Sequence, residues 1–127
     1  MKNPKTIPTD LELEILKLIW RRGSATVRDV YLDFQKERKI AYTTVLTMMG
    51  VLERKGHLKK KRGERAYVYS SAQPQARVTD GMIREFVNRV FNGSPKPLLV
   101  HLVEHSEIGA EELEEIEGIL RERRKKK

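Results

Sequence analysis

The feature that most constrains the fold is a row of three short helical patterns followed directly by a hairpin pattern, all within the first 73 residues. The first helix is predicted between Thr9 and Gly23, because a Thr-x-x-Glu capping box opens the pattern and a glycine ends it. A second helix is predicted from Thr26 and a third from about Tyr42 to Lys55, because apolar side chains recur there at helical spacing.

The hairpin is predicted over residues 57–71. The basic run 59–62 belongs to its first strand, Ala66-Tyr67-Val68-Tyr69 to its second, and the turn lies at Gly63-Glu64. A positive φ is expected at Gly63, since hairpin turns usually need one. Three short helices followed by a hairpin is the element order of a winged helix-turn-helix.

The remainder of the chain is predicted to be helical. A linker is expected at residues 73–75, followed by helices over about 78–90, 98–105 and 110–124. The segment 92–97 contains Asn, Gly, Ser and Pro, and it separates the first of these helices from the second. The fold class is therefore mainly α with a small β-hairpin wing: a winged helix-turn-helix followed by a helical domain.

The excess positive charge lies entirely in the first part of the chain. The formal net charge is +8; residues up to Gln73 include 16 basic and 8 acidic side chains, whereas the residues from Pro74 onward include 10 of each. A basic module joined to a neutral one is typical of a protein that binds a polyanion, although a basic surface can also be merely solvated. We therefore expect a winged-helix DNA-binding domain at residues 8–73.

The third predicted helix carries candidate DNA-reading residues opposite its apolar stripe. Threonine hydroxyls can bond to phosphates or base edges, and threonine methyl groups can contact thymine methyls. The alternative is that these threonines are first-turn residues without a partner. The residues expected to face outward are Thr43, Thr44, Thr47, Val51 and Arg54, and Tyr42 completes the candidate DNA contacts on this helix.

The hairpin tip carries a second set of candidates, all of them basic. A run of like charges is usually just solvated, but a basic wing that follows a helix-turn-helix is placed to contact phosphates. The wing candidates are Lys59, Lys60, Lys61, Arg62 and Arg65.

Several short segments carry a resemblance that extends over nearly the whole chain. They are LELEIL at 11–16 with Trp20, AYTTVLTM at 41–48, LERKG at 52–56, RAYVY at 65–69 and LEEI at 113–116. In these segments the sequence resembles the penicillinase-repressor (BlaI/MecI-type) family of bacterial winged-helix repressors.

The resemblance implies a homodimeric transcriptional repressor that binds a palindromic operator in double-stranded DNA. The C-terminal helices of such repressors interlock, which agrees with a second half that is too short to form a good core alone. A helical dimerisation domain is expected at residues 76–124. Its expected interface residues are Val78, Met82, Phe86, Val90, Leu99, Val103, Leu113, Ile116 and Leu120.

The resemblance also bears on how repression ends. In β-lactam-responsive members, a membrane sensor protease triggers cleavage of an Asn-Phe bond in the short fifth helix. The corresponding bond here is His101-Leu102, which departs from that pattern and leaves the inducing signal open. A regulatory protease is therefore a further expected partner. Copper-responsive relatives bind metal through cysteines, which this chain lacks, so we expect neither a metal nor another cofactor.

One motif favours an enzyme. Residues 101–105 match H-x-x-E-H, the inverted zinc-peptidase signature, in which two histidines bind zinc and the glutamate acts as a base. A catalytic site needs a third protein ligand, and no histidine follows His105. We therefore expect no enzyme and interpret the two histidines as surface residues of a dimerisation helix. The alternatives left open are a winged-helix protein-interaction module without DNA binding and, less favoured, a small zinc hydrolase.

Composition excludes several other classes. The absence of cysteine excludes a disulfide scaffold, a thiolate zinc site and a cysteine nucleophile. The apolar runs are far shorter than the roughly 20 residues that a membrane-spanning helix needs, and no apolar segment follows the first basic residues. We expect a cytoplasmic protein.

Overall fold

The computed structural model describes residues 6–126, which form six helices and three strands. In chain order these are α1 (Asp10–Arg22), β1 (Ser24–Ala25), α2 (Val27–Gln35), α3 (Tyr42–Arg54), β2 (Leu58–Arg62), β3 (Tyr67–Ser71), α4 (Gln75–Phe91), α5 (Pro95–His105) and α6 (Ala110–Lys125). The predicted fold class, mainly α with a small β wing, is confirmed.

Capping boxes start both α1 and α2. The Glu12 amide donates to the Thr9 hydroxyl at 3.4 Å, and the Thr9 amide donates to the Glu12 carboxylate at 3.1 Å. Thr26 and Asp29 make the same reciprocal pair at 3.1 and 3.0 Å. The Thr26 backbone N–H lowers the pKa of Asp29 below its usual value, and the charge of Arg22 adds to this, against the opposing effect of partial burial. The stabilisation by the Asp29 carboxylate is therefore present at neutral pH and is lost as pH falls through that lowered pKa, whereas the hydrogen bond to the Thr26 hydroxyl does not titrate.

The sheet has three antiparallel strands in the order β1-β3-β2. Strands β2 and β3 pair in register from Leu58 opposite Ser71 to Arg62 opposite Tyr67, which forms the predicted hairpin. Strand β1 is only two residues long, too short for side-chain alternation to reveal it in the sequence. Its Ala25 lies opposite Tyr69 on β3, and both side chains are buried, so β1 is held at the sheet edge by the core.

The hairpin turn corrects one expectation about Gly63. Among the described residues the glycines with positive φ are Gly23, Gly56 and Gly93, and Gly63 is not one of them. The turn instead needs glycine because the chain approaches itself closely: a Cβ on Gly63 would lie 2.7 Å from the Ala66 carbonyl oxygen. The Gly63 amide donates to that same oxygen at 2.9 Å, which fixes the close approach.

The core of the winged helix extends into the start of α4. The chain divides into two compact units between Glu85 and Phe86, which we call the winged-helix unit and the C-terminal unit. Val78, only 1% exposed, belongs to the core of the winged-helix unit, and Met82 packs against that core. The sequence assigns both residues to a dimer interface. The structure corrects this for Val78, which its own chain buries, whereas Met82 is half-buried and its place in the interface stays a prediction.

Two expected features differ in the structure. Gln73, expected in a linker, is hydrogen-bonded to the winged-helix unit: its side-chain amide donates to the Gly56 carbonyl at 3.3 Å and to Nδ1 of His57 at 3.0 Å. Helix α5 begins at Pro95 rather than at Leu98, because proline in the first turn lacks only an N–H that the helix would leave unpaired.

A buried ion pair connects the start of α1 to the end of α3. The ammonium of Lys55 lies 2.7 Å from the Glu12 carboxylate, and both side chains are mostly buried. Lys55 also donates to the Ile7 carbonyl at 3.3 Å. The ring of His57 is buried as well; its Nδ1 accepts from the Gln73 amide, so Nε2 carries the proton and donates to the Thr6 carbonyl.

We expect Lys55→Met to lower the free energy of unfolding by about 3 kcal/mol, because it leaves the buried Glu12 carboxylate without its counter-charge. Chemical denaturation followed by circular dichroism measures the change. Adding Glu12→Gln, which can still cap Thr9, should restore part of the lost stability. Equal losses for the single and double variants would contradict this role for the ion pair.

Candidate nucleic-acid interface

Helix α3 turns one side to the core and the other to solvent. Val45, Met49 and Leu52 are buried, whereas Thr43, Thr44, Thr47 and Arg54 are exposed. Val51 is half-buried rather than exposed, because it lies at the border of the buried stripe. From Thr43 to Arg54 the exposed polar side chains of α3 are thus three short hydroxyls followed by one cation, which can approach a polar polymer closely.

The N-terminus of α3 differs from those of α1 and α2. Its N-cap is Ala41, whose methyl group cannot accept a hydrogen bond, whereas the other two helices begin with threonine capping boxes. First-turn N–H groups of a helix favour negatively charged partners such as phosphate. Tyr42, at the first position of α3, is half exposed and packs edge-on against Tyr31 on α2 at 5.5 Å between ring centroids. The start of α3 is therefore positioned by an aromatic contact and not closed by a side-chain cap.

Two further residues on the outward side of α3 escaped the sequence analysis. Leu46 is 47% exposed although it is large and apolar. Gly50 lies inside the helix, where glycine costs about 1 kcal/mol relative to alanine. No internal contact demands this glycine, since a Cβ there would meet only Nη1 of Arg54, at an ordinary 3.6 Å. The signal in the sequence that could have identified Leu46 and Gly50 is that they interrupt the polar residues predicted on the outward side of this helix.

The basic residues of the wing fall into two groups on opposite faces of the hairpin. Lys60 and Arg62 share a face with Tyr67, because alternate residues of a strand point the same way. Their cationic groups lie 4.5 and 5.9 Å from the centroid of the Tyr67 ring, so one aromatic ring holds both. Lys60 also forms an ion pair with Glu53 at the end of α3, at 3.5 Å. This face of the wing is thereby linked to α3.

The other basic residues of the wing are solvated. Lys59 and Lys61 alternate with the first group and are exposed, and Arg65 is exposed in the turn between the strands. All five wing cations are therefore available at the surface of the winged-helix unit, with Lys60 partly neutralised by Glu53. Long-range attraction of a polyanion depends on this combined charge rather than on one residue.

The H-x-x-E-H motif lies on α5, where the rings of His101 and His105 are 4.6 Å apart between centroids. Within residues 6–126, no group of three or more histidine or acidic side chains is placed to hold a metal ion. The histidine pair thus lacks the third protein ligand that a zinc hydrolase uses. No helix in this same stretch combines the length and apolar character required to cross a membrane.

Three short helices, a small antiparallel sheet and a basic wing tied to the third helix define a winged-helix DNA-binding protein. The chain is similar to the solved DNA-binding domain of the repressor BlaI, with a TM-score of 0.51 and 31% identity; the match covers 60% of this chain and 92% of that one. This comparison agrees with the winged-helix fold.

The sequence matches the penicillinase repressor family over residues 8–122. It is 29% identical to the penicillinase repressor of Bacillus licheniformis, over 97% of this chain and 98% of the relative. It is 31% identical to the transcriptional regulator BlaI of Mycobacterium tuberculosis (strain CDC 1551 / Oshkosh), over 89% of this chain and 82% of the relative. The chain belongs to the penicillinase repressor family, as the resemblance predicted, and is a DNA-binding transcriptional repressor.

We expect Gly50→Ala to have opposite effects on folding and on DNA binding. Alanine should raise the free energy of unfolding by about 1 kcal/mol, because a helix interior favours it over glycine. The added methyl group should weaken operator binding if DNA approaches α3 at this point. Thermal unfolding and fluorescence anisotropy measure the two effects. Gly118→Ala in α6, where a Cβ meets nothing within 4 Å, is the matched control and should show only the stabilisation. Unchanged operator affinity of Gly50→Ala would contradict a close approach here.

We expect the wing and α3 to contribute differently to DNA binding. Arg62→Ala should weaken all duplexes alike and reduce the slope of log affinity against log salt by about 1, because it removes a candidate phosphate contact. Thr47→Ala should instead change the preference among operator variants, by about 1–3 kcal/mol for a good base contact. Lys17→Ala, an exposed charge on α1, is the control for loss of one cation. Uniform weakening by Thr47→Ala would show that Thr47 does not read bases.

Proposed function

We propose that the chain represses transcription in the cytoplasm as a homodimer that binds a palindromic operator. In this proposal the winged-helix unit of each copy contacts one half-site through α3 and the wing, and the C-terminal units join the two copies. The observation that carries the proposal is the apolar surface of α5 and α6. Its most exposed members are Leu99 at 57%, Val103 at 62% and Ile119 at 67%.

A second copy of the same chain is the partner that best suits this surface. In the part of the chain that the structure describes, no residue of α5 or α6 is buried. Soluble proteins rarely leave extended apolar surfaces exposed unless those surfaces bind a partner. The interfaces of homodimers are more apolar than those of transient complexes, so a second copy suits this surface. The same candidate interface includes Phe86, Val90, Leu113, Ile116 and Leu120, all of which are exposed in one chain.

Dimerisation explains how weak half-site contacts can give tight operator binding. Once one winged-helix unit is bound, the second is held near the other half-site, so its binding becomes intramolecular. The gain in affinity is about 100-fold or more when the geometry fits. Repression therefore depends on the C-terminal units even though they include none of the proposed DNA contacts.

We expect Ile116→Glu to convert a dimer to a monomer, because it places a charge within the proposed interface. Analytical ultracentrifugation measures the mass, and operator affinity should fall about 100-fold while affinity for an isolated half-site is kept. Glu115→Gln, at an exposed position of the same helix, is the control and should change neither. A parent chain that is monomeric at full operator affinity would overturn the proposal.

Release from DNA is proposed to occur by opening the dimer at α5. The bond between His101 and Leu102 corresponds to the bond expected to be cut by a regulatory protease. Both residues are exposed in the single chain, whereas burial of Leu99 and Val103 in a dimer would restrict access to this helix. The protease itself and the signal that activates it belong to the proposal and rest on the resemblance alone.

We expect a specific protease site engineered at residues 101–102 to abolish tight operator binding once it is cut. The winged-helix units should then separate, so operator affinity falls about 100-fold while half-site affinity is kept. Gel mobility shifts before and after cutting measure the change, and the same engineered protein left uncut is the control. Operator binding that survives complete cutting would show that α5 does not hold the dimer together.

A further inference from the structure

Helix α5 brings together two imidazole rings that neither the fold nor DNA binding uses. His101 and His105 are one helical turn apart and exposed, and their ring centroids lie 4.6 Å from each other with 37° between the planes. Within residues 6–126, neither ring makes a hydrogen bond or an ion pair. Two nitrogen ligands therefore stand side by side on one face of a helix.

The spacing of the rings fits a shared metal ion. A tetrahedral zinc ion with Zn–N bonds of about 2.0 Å places the centres of two bound imidazoles about 5 Å apart. The observed separation of 4.6 Å between the ring centroids is close to this distance. Imidazole is a good ligand for zinc, copper and nickel. We propose that His101 and His105 form a binding site for one divalent transition-metal ion, and we commit to zinc as the ion to test.

This site is a clamp and not a catalytic centre. Glu104, the acidic residue of the motif, belongs to no group of three or more ligands among the described residues. Two protein nitrogens leave the other coordination positions to water, so the ion connects two points on α5 that are one turn apart. Its direct effect is to stabilise the helical conformation of residues 101–105, because both nitrogens reach one ion only when that turn is formed.

The metal site and the proposed dimer surface lie on different sides of α5. At about 100° per residue, the pair of histidines is centred about 160° around the helix from Leu99 and Val103. A zinc ion and a second copy of the chain can therefore occupy α5 together. The site itself is independent of the proposed dimer.

The clamp includes the bond where release is proposed. His101 supplies one metal ligand and also the carbonyl of the bond to Leu102. A short helix such as α5 is marginally stable without partners, and a ligand bound only by the helical form lowers the open fraction by the factor 1 + [Zn]/Kd. Zinc is thus expected to protect this bond from cleavage. This regulatory consequence rests on the proposed function, whereas the metal site does not.

The site is tested by titrating the full chain with zinc chloride in a calorimeter at neutral pH. The matched control is the exchange Val100→His with His101→Val, which keeps the composition and separates the two histidines by five positions. Parent protein should bind one zinc ion per chain, and the exchanged variant and His105→Gln should each bind about tenfold or more weakly, because each loses the second ligand held at high effective concentration. Parent-like affinity in both variants, or no zinc binding by the parent, would overturn the site.

Hydrogen exchange of the α5 amides tests the clamp without any protease or DNA. At zinc 100 times above Kd, exchange in residues 101–105 of the parent should slow by about 100-fold, and the exchanged variant should show no such protection. Zinc binding without protection would overturn the clamp. Operator binding by the parent chain, measured without zinc, tests the proposed function separately. A parent chain that does not bind operator would count against the proposed function, whereas failure of the zinc titration would leave that function intact.

Discussion

The buried ion pair between Glu12 and Lys55 is the interaction on which the placement of α3 depends. One carboxylate caps the start of α1 and neutralises the cation at the end of α3. A second ion pair, between Glu53 and Lys60, then connects the end of α3 to β2. These contacts set the outward side of α3 and the basic face of the wing relative to each other, and in the proposed interface a duplex contacts both surfaces.

The sequence predicts the first three helices well because their local signals agree with their tertiary role. Thr9 and Thr26 cap helices whose apolar positions then follow the helical period without conflict. The outward side of α3 is less predictable from sequence. A large apolar residue such as Leu46 is expected in the core, and a glycine such as Gly50 is unfavourable inside a helix. Exposure and the space around a missing Cβ belong to the folded chain, and they mark these two positions as unusual.

Periodicity cannot say which neighbour covers an apolar stripe. Helix α4 continues one pattern through Val78, Met82 and Phe86, yet the first is fully buried in the winged-helix unit whereas the last is exposed. The sequence treats the stripe as a single interface, and the structure divides it between the units. Gly63 shows a similar limit, because a sequence signals that glycine is needed without saying whether a positive φ or a close approach requires it.

The aromatic ring shared by the wing cations has a consequence for the entropy of binding. Lys60 and Arg62 both lie over Tyr67, at 4.5 and 5.9 Å from its centroid, before any ligand is present. A fully free lysine or arginine side chain loses rotamer freedom worth about 2 kcal/mol when it is immobilised. Side chains already restricted by a ring have less freedom left to lose when they contact a phosphate. Tyr67 therefore restricts the wing cations in advance, and if the wing contacts phosphates as proposed, Tyr67 favours that binding without contacting DNA itself.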